Sequence, residues 1–161
     1  MEKPLFILQH IKIVKKHPKF FFHMVQMSMK NDKDVGTALH IAAIENSKET
    51  SELLLLHGAN VNEKDKDVGT ALHIAAIENS KETSELLLLH GANVNEKDKD
   101  VGTALHYAAY KNSIEATELL LSHGANVNEK DKDGETALHI AVDKNRKEAT
   151  EVLSFTWCKC Q

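Results

Sequence analysis

The sequence predicts an all-α stack of helical hairpins, and three observations carry the prediction. Residues 34–66, DVGTALHIAAIENSKETSELLLLHGANVNEKDK, recur letter for letter over residues 67–99. A third copy with a few changes fills 100–132, and a fourth opens at Asp133 and loses the pattern near Leu153. Each copy holds two short apolar patterns at helical spacing. A lone hairpin of this size cannot bury its apolar face, whereas stacked neighbours can, so the array is the folding unit.

Within a unit, the first helix is read from TALHIAAIEN over residues 37–46. Thr37 is a good N-cap, since its hydroxyl can accept a first-turn N–H. Leu39, Ala42 and Ala43 make a narrow face of small residues that lets a neighbouring helix come close. The second helix starts after Ser47, another capping residue, and runs through Leu53, Leu54 and Leu55 to His57. Gly58 then supplies a left-handed residue that ends it. The polar stretch ANVNEKDKD reads as a loop.

TALH, AA, LLL and HGANVN, recurring every 33 residues, resemble the ankyrin repeat over about three and a half units. The resemblance implies a curved, all-α ankyrin-repeat solenoid of stacked antiparallel helix pairs linked by β-turn loops. It implies a non-catalytic protein–protein interaction scaffold that binds through its concave face and turn tips. The residues placed there are Ile44, Glu45, Ile77, Glu78, Tyr110, Lys111, Asp143 and Lys144, with Val35, Val68 and Val101 at the tips. Exposed together, Ile44, Ile77 and Tyr110 would form an apolar stripe with an aromatic anchor. Packed on their own helices, the two isoleucines would be ordinary core. Leu56 and Leu89, where the third unit has Ser122, predict a second apolar strip on the outer helices.

The units depart from the family pattern. Ala38, Ala71, Ala104 and Ala137 replace the proline usual after Thr, which keeps the helix because Ala is an excellent helix former. The family's D-G-x-T turn is met only by Asp133-Gly134-Glu135-Thr136. In the other units Val35, Val68 and Val101 stand where Gly is expected. A left-handed valine costs on the order of 1–2 kcal/mol. The expectation is therefore that the turn shifts and Gly36, Gly69 and Gly102 take the positive φ. Thr50 and Ser51 stand at apolar positions, so the core between units is expected to be lean.

The 161 residues are 42% hydrophobic with a net charge of −4, which points to a globular chain without a general nucleic-acid signal. Charge is uneven: residues 1–33 hold seven lysines against two acids, and residues 34–161 hold thirteen basic against twenty-two acidic residues. An acidic array disfavours nucleic acid and favours basic partners. Cys158 and Cys160 are too close for an easy mutual disulfide, which fits a reducing, cytoplasmic setting. No apolar run is long enough to span a membrane, and no signal peptide is read. A monomer is expected.

The three domains read from the chain are a basic non-repeat head (1–33), the array (34–66, 67–99, 100–132 and a truncated 133–153), and a non-repeat tail (154–161). One base string connects them. TCA CAT GGT GCA AAT GTC AAT GAA encodes Ser122 to Glu129. Skipping one base gives His23, Met24, Val25, Gln26, Met27, Ser28 and Met29. Skipping two gives Thr156, Trp157, Cys158, Lys159, Cys160, Gln161 and a stop. Met and Trp have single codons, so the agreement is tight. Both ends are thus expected to be repeat sequence read out of frame. This keeps a second reading open, a non-functional fragment of a longer ankyrin array. A third is a membrane or polyanion tether through the basic head, in which Pro4 and Pro18 bound any helix.

No chemistry stands out. His40, His73, His106 and His139 recur with the unit, as do His57, His90 and His123, so each set is one structural position copied. Packed units lie roughly 8–10 Å apart, too far for zinc ligands, which sit about 2.0–2.1 Å from one ion. Cys158-Lys159-Cys160 is half a metal motif without its second half. No phosphate loop and no nucleophilic triad is present. The reading is a non-enzyme without cofactor or metal, of low stability because it lacks polar terminal caps.

Overall fold

A computed structural model describes residues 36–67 and 69–159. Among them, eight helices and no strand form four consecutive pairs. Unit 1 holds α1 (Ala38–Ile44) and α2 (Lys48–Leu56), and unit 2 holds α3 (Ala71–Ile77) and α4 (Lys81–Leu89). Unit 3 holds α5 (Ala104–Lys111) and α6 (Ile114–Ser122), and unit 4 holds α7 (Ala137–Asp143) and α8 (Lys147–Lys159). First helices pack in one row, α1 on α3 on α5 on α7, and second helices in a parallel row, α2 on α4 on α6 on α8.

The two rows share one seam. Leu39, Leu72 and Leu105 fill it from the first helices, and Leu54, Leu87, Leu120 and Leu153 from the second. The alanine pairs Ala42–Ala43, Ala75–Ala76 and Ala108–Ala109 are all buried, so close approach replaces side-chain volume between units. The seam is lean as well as close: Ser51, Thr83, Ser84 and Thr117 are fully buried. Ser51 and Thr117 donate to the carbonyls of Ser47 and Ser113 at 2.9 and 2.8 Å. The hydroxyls of Ser80 and Ser84 have no hydrogen-bond partner.

Helix ends follow simple stop signals. Gly58, Gly91 and Gly124 close the second helices with φ of 85°, 86° and 85°. Asn46, Asn79, Asn112 and Asn145 follow the first helices, also left-handed, with φ between 46° and 62°. Asparagine tolerates this region better than most side chains. In unit 4, Trp157 occupies the place of the stop glycine, and α8 runs to Lys159. With no residue suited to the left-handed turn, the backbone keeps its hydrogen-bonded spiral past Leu153.

The turns correct one expectation. Gly36 has positive φ (+76°), but Gly69 and Gly102 do not, and Val101 sits left-handed at φ 63°. The reason is the aspartate that opens the turn. Asp98 Oδ1 accepts from the N–H groups of Asp100 and Gly102, both at 2.9 Å, and Asp98 N–H donates to Gly102 O at 3.0 Å. Asp131 makes the same three bonds to Asp133 and Glu135 in unit 4, where Gly134 takes the left-handed place with φ +79°. Three hydrogen bonds fix the register, and a strain of about 1–2 kcal/mol does not displace it. Val35 and Val68 lie outside the described residues, as does the head.

Candidate protein-interaction surface

The surface begins where the first helices end. Ile44 is 48% and Tyr110 45% exposed, whereas Ile77 is half-buried. Glu45, Glu78, Lys111, Asp143 and Lys144 are all exposed. The stripe is thus open at Ile44 and Tyr110 and partly closed between them, so the two readings of the isoleucines divide by unit. Val101 adds a partly exposed apolar tip.

Tyr110 gathers its neighbours. The ammonium groups of Lys111 and Lys144 each stand 6.0 Å from its ring centroid, at the edge of cation–π range. Arg146 Nε donates to the Tyr110 carbonyl at 2.9 Å, which ties α8 back to α5. Lys144 also pairs with Asp143 at 2.8 Å, and that carboxylate holds the Lys144 ammonium above its usual pKa. The same position reads Glu45, Glu78, Lys111, Lys144 along the stack, so the face changes from acidic to basic between units 2 and 3.

Tyr107 was not singled out from the sequence. It replaces Ile41 and Ile74 in unit 3, and that change of residue at a copied position was its only signal. Its hydroxyl donates to Asp98 Oδ2, and its ring meets His73 edge-on with centroids 5.9 Å apart. Burial and the Asp98 carboxylate raise its pKa. Tyr107 therefore braces the strained turn at Val101.

The histidines serve the stack. Thr37, Thr70 and Thr103 donate their backbone N–H to Nδ1 of His40, His73 and His106 at 3.1–3.2 Å. Nδ1 is then the acceptor, so Nε2 carries the proton and donates to the next unit. His40 reaches Gly69 O at 3.1 Å, His73 reaches Gly102 O at 3.3 Å, and His106 reaches Glu135 O at 3.2 Å. Burial lowers the His73 pKa. Among the described residues, no three His, Cys, Asp or Glu side chains come together as a metal site.

Two further linkages were not legible beforehand. Asn46 Oδ1 accepts from Thr83 Oγ1, while Asn79 Oδ1 and Asn112 Oδ1 accept from Ala116 N and Ala149 N, all at 3.2 Å. On the loops, Lys64 pairs with Glu96 at 2.5 Å, Lys97 with Glu129 at 2.6 Å, Lys132 with Asp100 at 2.8 Å, and Lys99 with Asp67. Only the folded spacing between units puts these partners in reach.

On the second-helix row, Leu56 and Leu89 are 68% and 72% exposed, and Phe155 continues this apolar strip in unit 4. An open groove of about 410 Å³ lies between α6 and α8, lined by Leu121, Val152 and Phe155 with two glutamates. No described helix is long and apolar enough to cross a membrane.

A search of curated proteins finds no match to the chain. The family model described as ankyrin repeats (3 copies), by contrast, matches residues 10–98 and 86–156. The match opens inside the head and closes just past Leu153, so it spans more than the in-register units. With eight paired helices, stop residues at each hairpin and histidine links between units, the chain belongs to the ankyrin repeat family.

Proposed function

We propose that this protein is a non-catalytic scaffold that binds another protein along the ends of its first helices and its turn tips. Ankyrin repeats are generally protein–protein interaction modules, and the face described above suits that role. The single observation that carries the assignment is Tyr110, a half-exposed aromatic ring flanked by two lysines where the copied Ile-Glu pair of units 1 and 2 gives way. Aromatic residues with charged neighbours are typical binding anchors. The change from Glu45 and Glu78 to Lys111 and Lys144 calls for an extended partner, basic against units 1 and 2 and acidic against units 3 and 4. Identical units cannot set register on a partner, so Tyr110, Lys111, Asp143 and Lys144 supply the address.

The test is affinity capture by the full chain alongside Tyr110→Ala and Lys144→Glu variants of matched helicity. A partner held by the wild type and lost from both variants supports the assignment. A partner held equally by all three, or one lost only through Leu56→Lys or Leu89→Lys, overturns it.

A further inference from the structure

The groove between α6 and α8 lies where unit 4 departs from the copied pattern. Val152 stands where units 1 to 3 have Leu53, Leu86 and Leu119, and Thr156 where they have His57, His90 and His123. Both replacements are smaller, and both line the groove, with Leu121 and Phe155 completing its apolar walls. The Thr156 hydroxyl donates to the Val152 carbonyl at 3.0 Å, so that side chain adds no unsatisfied polar atom. Units 1 and 2 separate the groove from residue 36, where the described chain begins.

Glu118 and Glu151, one copied position in neighbouring units, also line the groove, and both are exposed. Three residues earlier, Glu115 and Glu148 accept from the side-chain amides of Asn79 and Asn112. The Glu118 and Glu151 carboxylates have no hydrogen bond or ion pair among the described residues. No described basic residue lines the groove. It is thus an apolar trough with two uncompensated negative charges. That rim repels nucleic acid and anionic lipid and suits lysine or arginine. The walls are helices whose main-chain groups are already bonded within each helix, so an extended chain would find no strand to pair with. A helical segment satisfies its own backbone and can lay apolar residues at i, i+3 and i+4 into the trough.

We propose that this groove docks an amphipathic helix of a partner protein, with its apolar face on Leu121, Val152 and Phe155 and a lysine or arginine paired with each of Glu118 and Glu151. The site lies on the second-helix row, so it is separate from the Tyr110 surface and does not rest on that assignment. Glu52 and Glu85 hold the same position in units 1 and 2, beside the larger leucine and histidine, and serve as the internal control.

Fluorescence anisotropy of a labelled peptide against the full chain tests it. The probe is a helix of about 18 residues with leucines on one face and lysines on the other, long enough to hold its own turns. The wild type should bind it, and Glu118→Lys combined with Glu151→Lys should weaken binding by about tenfold or more. That double variant should instead bind the matching leucine–glutamate peptide. Glu52→Lys combined with Glu85→Lys changes net charge equally but lies beyond the screening distance, so binding should stay within about twofold of the wild type. Phe155→Ser should also weaken binding, with helicity unchanged by circular dichroism. A wild type that does not bind overturns the proposal, as does a swapped variant that ignores the glutamate peptide. Equal weakening by the two double variants overturns it too, since it would mean undirected attraction to an acidic chain. Self-association in sedimentation velocity that Phe155→Ser abolishes would give the groove to a second copy and overturn the proposal. So would a carbodiimide cross-link within one chain from a lysine of residues 1–33 to Glu118 or Glu151, because the chain's own basic head would then be the occupant.

Discussion

Units 1 and 2 have the same 33 residues but not the same structure. Ala38 is half-buried while Ala71 is covered, and Thr50 is half-buried while Thr83 is covered. Ile44 is exposed while Ile77 is half-buried. Ser47 Oγ accepts the N–H of Thr50, yet the hydroxyl of Ser80 has no partner. Since residue identity is held constant, every difference comes from position in the stack. Unit 2 has a described neighbour on both sides, and a repeat draws much of its stability from those interfaces.

The largest expected effect is in the seam. Leu87→Ala should lower unfolding free energy by about 3 kcal/mol, because Leu87 is fully buried between second helices. Leu89→Ala, two residues away on the exposed side, should change it by less than about 0.5 kcal/mol. Urea denaturation of both variants checks the contrast, and equal losses would mean that the row does not carry the load assigned to it.

The same substitution in the two identical units comes next. Ala71→Leu should cost roughly 2–3 kcal/mol by overpacking a closed junction. Ala38→Leu, at a position only half-buried, should cost well under half as much. Similar costs in both would show that unit 1 is as enclosed as unit 2.

Turn strain is a smaller effect. Val101→Gly should stabilise the chain by about 1 kcal/mol, net of the entropy glycine adds to the unfolded state, while Gly134→Val should destabilise it by about 1–2 kcal/mol. Thermal melts of the two variants should move in opposite directions. A destabilised Val101→Gly would instead mean that the packing of Val101 outweighs its backbone strain.

The smallest effects belong to buried polar groups. Ser84→Ala should gain about 1 kcal/mol by removing a hydroxyl without a partner, and its twin Ser51→Ala should be neutral or slightly destabilising. His73 adds a pH dependence. Its folded pKa lies below 6.5, so the unfolded chain takes up the proton first. Its stabilisation is complete above that pH and falls as pH drops toward the lower folded value. Urea midpoints should decline from about pH 7 to about pH 5, and His73→Gln should flatten that slope.

The hairpins, their order and their stop residues were legible in the chain because they rest on local chemistry. Leucines at helical spacing, a threonine before each first helix and a glycine after the second helix of units 1 to 3 act within a few residues of themselves. The candidate surface was proposed from exceptions at a copied position, since Tyr110, Lys111, Asp143 and Lys144 stand out against units of near identity. Tyr107 was an exception of the same kind, but its role depended on the reach of Asp98, which no spacing reveals.

Sequence alone therefore determined the repeating hairpin, the leucine seam, the helix starts and the glycine stops of units 1 to 3, all consequences of short-range backbone and side-chain preferences. Tertiary structure alone decided which twin of each residue is covered and which histidine and asparagine side chains meet the next unit. Those outcomes depend on neighbours about thirty residues away, brought close by the stacking of one unit on the next.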